Sequence, residues 1–503
     1  MNRYFDLSPQ SSSLSPFRIF VPLLIILVGA AIQFRALVVD VRFYPDEAFF
    51  STFARNAALD GDWLLHGDLD KTPLAIYADA LSMNFVAARG ENGVLNFDPK
   101  LGEFAARLPS ALASLALIAI SYALAQQLYG NWLISAWAGM FVACSPYLAI
   151  YGATAYTDGL MLTFGALALL LAARGRWLGS GAALALAFAS KQQAVYFLPL
   201  VFAIGWVMNR LRLRGLLAFF GTLIVGVVVL ILWDRLRDQP TSLWALAAAN
   251  NNPARLLRAD EVVPRLIEWL NYARTLVGTP TILLAIVASI MIGVRISREA
   301  RRRATVIDVL LLIFILGYLL INWLVAFDIY PRYLLILLVP AALLAARASI
   351  WLWNWLKPRL SPQEGVVLAA VLALVLLNGA NGAADQRASY SEDGSDYSGI
   401  IDLADTLNAQ TLGAVVYDHW LGWELGYYMG QWTDKRRVYY PTPEALVADA
   451  LKLKDPAPRY FVAPTNQPID PWLEQLKNAG FAVSQFYLHD GFVIYRLIPP
   501  SGA

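Results

Sequence analysis

From residue 17 to residue 377 the chain repeats one pattern: long apolar stretches separated by short charged loops. Such stretches predict helices that cross a bilayer. They fall at 17–39, 104–128, 132–149, 158–173, 177–189, 194–208, 213–233, 277–294, 306–327, 333–355 and 366–377. This makes about eleven spans by the ~20-residue length criterion, several of them shorter than it asks. Joining 177–208 into one span would bury Lys191 in mid-membrane, so two are expected there. Arg174 and Arg176, then Arg210, Arg212 and Arg214, then Arg295, Arg298, Arg301, Arg302 and Arg303, then Lys357 and Arg359 occupy alternate loops. Positive loops stay in the cytoplasm. The N-terminus is therefore expected inside, with 40–103, 234–276 and everything after 377 outside.

Composition agrees with the pattern: 58% of residues are hydrophobic, 15% are charged and mean hydropathy is +0.52, as in an integral membrane protein. A net charge of +2, with no basic patch interleaved with aromatics, gives no reason to expect a nucleic-acid partner. The single cysteine, Cys144, excludes a disulfide within the chain. The 17–39 stretch is too long for a signal-peptide core and lacks a small-residue cleavage site, so it reads as an uncleaved first span. After residue 378 the pattern changes. Residues 385–399 form a polar linker, and strand-like pieces then alternate with helix-like ones. The expected fold is a polytopic helical membrane domain, 1–380, followed by an extracytoplasmic α/β domain, 381–503.

The chemistry collects at the outer face. Asp46 and Glu47 open a helix just after the first span, where such a pair can cap the helix, bind a cation or take a proton. Lys71 follows in the same loop. Asp158 enters the fourth span, Lys191 lies between the fifth and sixth, and Arg332 enters the tenth. Charges at span ends are costly unless solvated or used. Acids and cations at one depth suit an anionic lipid substrate, because a phosphate needs Lys or Arg donors and an incoming hydroxyl needs a base. Glu103 and Arg107, four apart on a helix, are expected to form an ion pair. His66, His419 and His489 form no spaced ligand set; His66 is a candidate substrate contact or a solvated loop histidine. The second outer loop, 234–276, carries Asn250, Asn251 and Asn252 and an amphipathic stretch near 266–276 that either lies in the interface or covers a site.

Tyr44-Pro45-Asp46-Glu47-Ala48, Ala54-Arg55, Gly61-Asp62-Trp63-Leu64 and Lys71-Thr72-Pro73-Leu74 resemble the first external loop of the GT-C glycosyltransferases. The resemblance is nearest to the protein O-mannosyltransferase and lipid A aminoarabinose-transferase group. Glu103 to Ser110, Ser145-Pro146 with Thr157-Asp158-Gly159-Leu160, and Arg332-Tyr333-Leu334-Leu335 with Pro340 resemble later segments in the same order. The resemblance implies a glycosyltransferase that moves a sugar from a polyprenyl-phosphate donor to a hydroxyl of a glycan, lipid or protein, in a bacterial cell membrane. It implies Asp46 as catalytic base, Asp158 as the second acidic position, and Lys71 as a holder of the donor phosphate. Arg332 and Arg55 are expected beside that phosphate, with Glu47 and Lys191 as substrate or structural neighbours. Thr72 stands where the family usually has proline. Some relatives use a divalent cation, and Asp46 with Asp158 would be its ligands here. Two other classes remain: a transporter or flippase of lipid-linked substrates, which should carry mid-membrane charges and repeated halves, and a non-catalytic scaffold presenting the outer domain.

Overall fold

The computed structural model describes residues 16–90, 93–253, 255–386, 396–430, 434–454 and 456–500. The serine-rich tail before Pro16, and residues 387–395 of the expected linker, lie outside them. The chain begins with α1 (Pro16–Leu37), α2 (Pro45–Arg55) and α3 (Leu74–Asn84). Two short strands, β1 (Ala88–Arg89) and β2 (Leu95–Asn96), then pair antiparallel. Next come α4 (Pro99–Tyr129), α5 (Trp132–Ala143), α6 (Pro146–Tyr151), α7 (Asp158–Ala173), α8 (Trp177–Ser190) and α9 (Phe197–Val207). The second outer loop follows α10 (Leu213–Leu236) and folds into α11 (Leu243–Asn250) and α12 (Val262–Ala273). The last apolar helices are α13 (Thr281–Glu299), α14 (Arg303–Leu324), α15 (Leu338–Leu356) and α16 (Pro362–Gln386).

Among the described residues, seven helices are long and apolar enough to cross a membrane, and four apolar helices are shorter. The short ones, including α7 and α8, coincide with the stretches that fell below the length criterion. Of these, α7 packs between α4 and α8 and is buried almost throughout. By contrast α10 presents Leu217, Ile224, Val225, Val228, Val229 and Leu232 outward, the surface that lipid would cover. α4 has 31 residues and would be about 46 Å long, more than the ~30 Å hydrocarbon layer. Part of it therefore reaches beyond that layer, and its N-terminus is capped by the Asp98 carboxylate, which accepts from the Lys100 and Leu101 N–H groups at 2.9 and 3.1 Å.

The C-terminal part adds α17 (Ile400–Asn408), β3 (Val415–Asp418), α18 (Gly422–Met429), β4 (Arg436–Tyr439), α19 (Pro443–Lys452), β5 (Arg459–Pro464), α20 (Asp470–Asn478), β6 (Ala482–His489) and β7 (Phe492–Ile498). Five strands form one sheet in the order β4-β3-β5-β7-β6. The first three are parallel and the last two antiparallel. The strands fall where the sequence alternates, with the strand-like pieces 414–417, 437–440, 459–463, 482–487 and 492–497 each within a residue or two of its strand, whereas α17 and α18 had no signal strong enough to read. α18 matters most for the site, because it docks on α2. Trp423 packs on Phe49 with ring centroids 4.3 Å apart, and the Tyr428 hydroxyl accepts the Phe43 N–H at 2.9 Å.

Candidate active site

Pro45 starts α2 at its first position, where a missing N–H costs nothing, and Asp46 and Glu47 fill the first turn. Their side chains part at once. Glu47 is fully buried and takes two hydrogen bonds from Arg107, each 2.9 Å, plus the Ala155 N–H at 2.9 Å and the Tyr44 N–H at 3.4 Å. It thus pins α2 to α4 and to the turn before α7. Asp46 points the other way, into a cavity of about 570 Å³, and its side chain is 42% exposed. That size is within the usual range for a small-molecule site.

The cavity gathers side chains from loops that are far apart in sequence. Asp46 and Phe50 come from α2, Asp70 and Lys71 from the first outer loop, and Asp158 from the start of α7. Lys191, Gln192 and Gln193 follow α8, Asn250 ends α11, and Tyr330, Arg332 and Tyr333 precede α15. The short helices α7 and α8 end beneath this space, so their terminal charges form its floor. Arg332 donates to the Asp46 carboxylate and lies over the rings of Tyr156 and Tyr330, at 4.6 and 5.2 Å. Lys191 grips both oxygens of Asp158 at 2.8 and 2.9 Å. Lys71 donates to Asp70 at 2.5 Å. Thr72 donates its hydroxyl to the Phe188 carbonyl at 2.8 Å, tying the lysine loop to the end of α8.

Burial pushes the Asp46 carboxyl up, but the adjoining Arg332, with Lys71 and Lys191 further off, more than offsets it, leaving the carboxyl below its ordinary value. Burial pulls the Lys191 ammonium down against the attraction of Asp158. The cavity therefore holds an accessible, ionised carboxylate, Asp46, beside three cations, an arrangement able to bind a phosphate and accept a proton.

Of the residues expected here from sequence, Asp46, Asp158, Lys71, Lys191 and Arg332 converge on the cavity. Three do not. Arg55 leaves from the opposite end of α2, donates to the Tyr427 carbonyl and lies over the Phe97 and Tyr427 rings, so it braces α18 instead of meeting a phosphate. Glu47 serves the buried scaffold. His66 is on the surface beside Asp62, 2.5 Å away. The expected Glu103–Arg107 pair also fails to form: Arg107 turns inward to Glu47, while Glu103 meets Arg42 at 2.9 Å and accepts from the Tyr428 hydroxyl. Asp70 went unnoticed because nothing local distinguishes it from the other loop aspartates. Among the described residues no group of three or more His, Cys, Asp or Glu side chains is placed to hold a metal ion. Asp46 and Asp158 are each engaged by a cation instead, so the residues present do not fit a metal centre.

The family model for dolichyl-phosphate-mannose-protein mannosyltransferase matches residues 99–233. No curated protein sequence matches the chain. Among solved structures, ArnT from Cupriavidus metallidurans bound to undecaprenyl phosphate superposes with a TM-score of 0.64 at 16% identity, over 94% of this chain and 97% of that one. The oligosaccharyltransferase of Archaeoglobus fulgidus in its apo form gives 0.57 at 11% identity, over 97% of this chain and 76% of that one. The arabinofuranosyltransferase AftD from Mycobacteria gives 0.51 at 16% identity, over 97% of this chain and 40% of that one. With these structures matching over 94–97% of its length, the chain is a membrane protein of the GT-C glycosyltransferase fold.

Proposed function

We propose that the protein transfers a sugar from a polyprenyl-phosphate donor to an acceptor hydroxyl at the outer membrane face. The observation that carries this reading is the cavity at the ends of α7 and α8. There an ionised, accessible Asp46 stands among Lys71, Lys191 and Arg332. A likeness to ArnT, a structure described with undecaprenyl phosphate, supports the lipid-phosphate half of the proposal. Asp46 is the base. Lys71 and Arg332 bind the donor phosphate, with Lys191 held by Asp158 as a third positive group behind them. A phosphate leaving group carries its own charge, so no general acid is demanded. Asp158 acts by keeping Lys191 in place, and takes over as base only if Asp46 fails the test below. A transporter would need ionisable groups lining a route through the bilayer. The buried Asp308–Arg347 pair, 3.0 Å apart, is satisfied by its own contact and by the Tyr129 hydroxyl at 2.9 Å and gives that alternative no support.

Charge-assisted donors in a partly desolvated site contribute about 1.5–3 kcal/mol. Lys71→Met is therefore expected to weaken donor binding about 10- to 100-fold, measured by titrating purified protein with a polyprenyl-phosphate sugar. Unchanged affinity in a folded variant would remove Lys71 from the phosphate site.

The proposal places all eleven apolar segments across the membrane, with the N-terminus inside and residues 381–503 forming the outer domain. A reporter that is active only outside the cytoplasm, fused after Asp385 at the end of α16, should be active. A silent reporter at that point, with a cytoplasmic one working, would reverse the topology.

A further inference from the structure

Between Asp60 and Leu74 the chain forms neither helix nor strand, yet this stretch delivers Lys71 to the cavity. Leu65 and Leu69 within it are fully buried, so its backbone groups need partners from elsewhere in the protein. Leu65 also stands in the left-handed region, with φ at 53°, a conformation that side chains other than glycine disfavour. Arg237, one residue past α10, supplies both the partners and the restraint. It is completely buried. Its Nε donates to the Leu64 and Leu65 carbonyls at 3.2 and 3.1 Å, and its Nη2 to those of Leu65 and Gly67 at 2.7 and 2.6 Å. Gln239 accepts the Gly67 N–H at 3.1 Å and donates to the Arg237 carbonyl at 3.1 Å. A second set of contacts runs through α11. The Arg237 Nη1 reaches Asp234 at 3.4 Å, and that carboxylate accepts the Leu243 N–H at the start of α11 at 3.0 Å. At the other end of α11, Asn250 donates to the carboxylate of Asp70, the neighbour and ion-pair partner of Lys71, at 3.2 Å.

We infer that Arg237 is a positioning residue for the donor phosphate: it does not line the cavity, and it acts by fixing where Lys71 stands. This rests on the reading in which Lys71 binds that phosphate, and it adds the group that aims the lysine. Without the guanidinium, three buried carbonyls lose their donor and Leu65 relaxes toward an ordinary backbone conformation. The chain leading into Lys71 shifts with it. Gln192 still holds the Asp70 carbonyl, and Thr72 still holds that of Phe188, so the lysine stays in the cavity but off its mark. A charge-assisted bond depends on distance and direction, so a small displacement weakens it. Lysine is a poor substitute for Arg237, because an ammonium lacks the planar fork that spans Leu64, Leu65 and Gly67. Asp46 is aimed separately, through the Glu47–Arg107 pair.

The test is a double-mutant cycle read by binding of bare polyprenyl phosphate to the purified full-length protein. The four forms are the parent, Arg237→Gln, Lys71→Met and the double variant. Arg237→Gln is expected to weaken binding about 10-fold in the parent and to cost almost nothing once Lys71 is gone. A residue that merely stabilised the fold would lower affinity equally in both backgrounds, and that result would overturn the inference. So would an unchanged affinity of Arg237→Gln beside a weakened Lys71→Met, with the phosphate role of Lys71 left standing. A buried arginine is exposed to the objection that its variant does not fold, so Gln239→Ala runs through the same cycle. It frees only the Gly67 N–H and should cost about 3-fold, again only while Lys71 is present; no loss, or the same loss in both backgrounds, would overturn the inference there too. If Lys71→Met itself bound as tightly as the parent, Lys71 would leave the phosphate site and the role of Arg237 would fall with it.

Discussion

Asp46→Asn is expected to lower turnover by roughly 10²–10⁴ while leaving donor affinity nearly unchanged. A hydroxyl is a poor nucleophile at neutral pH, so attack on the anomeric carbon needs a base that takes the proton as the new bond forms. Asp46 is a cavity carboxylate that the adjoining Arg332 holds ionised and that is substantially exposed, at 42%. Asp158 is nearly buried under Lys191. Asparagine keeps the size of Asp46 and one of its oxygens, so α2 and its neighbours should stand. It also releases Arg332, which keeps its full charge for the donor phosphate; the loss should therefore appear in kcat and not in donor Kd. Direct displacement with a single base implies inversion at the anomeric carbon. Because the Asp46 carboxyl lies below its ordinary value, the basic form persists as pH falls. The acid limb of kcat/KM in the free enzyme should lie below the usual carboxylate range. Near-normal turnover of the variant, or a product that retains the donor's configuration, would shift the role of base to Asp158.

The second large effect concerns stability. Arg107→Leu should destabilise the folded protein by about 3–5 kcal/mol, the usual cost of removing one partner from a buried ion pair. Glu47 is wholly buried and Arg107 only 2% exposed, so the stranded carboxylate has no water to turn to. The Val41 and Arg42 carbonyls would also lose the Arg107 guanidinium, which reaches them at 2.8 and 3.1 Å. Thermal unfolding in detergent should show a marked fall for Arg107→Leu. The double variant Glu47→Leu/Arg107→Leu should recover part of it, because no charge is then left unpaired. A single variant as stable as the parent would mean that the pair does not hold α2. Activity should fall with stability, since Asp46 is aimed by the backbone that its neighbour Glu47 anchors.

Much of this molecule could be read one residue at a time. A bilayer imposes a strong local rule, because backbone groups in hydrocarbon must be satisfied within a helix. Apolar length therefore marked out the helices, and strand alternation marked the C-terminal sheet. The polar residues stranded at helix ends pointed to Asp46, Lys71, Asp158, Lys191 and Arg332, since charge at such positions calls for a reason. Local spacing was silent on which partner each charge takes. Glu103 and Arg107 are ideally spaced for each other, yet Arg107 binds Glu47, sixty residues earlier. Burial explains this: Glu47 has no solvent to fall back on, so the guanidinium gains more there than in a helix-surface pair. The same rule separates Asp46 from Glu47 and moves Arg55 from the cavity to α18. It also brings Asp70, Gln192 and Asn250 together from three separate segments. The sequence by itself determined the elements and the inventory of charges; only the tertiary structure decided their pairing, because pairing depends on which groups are withdrawn from water together.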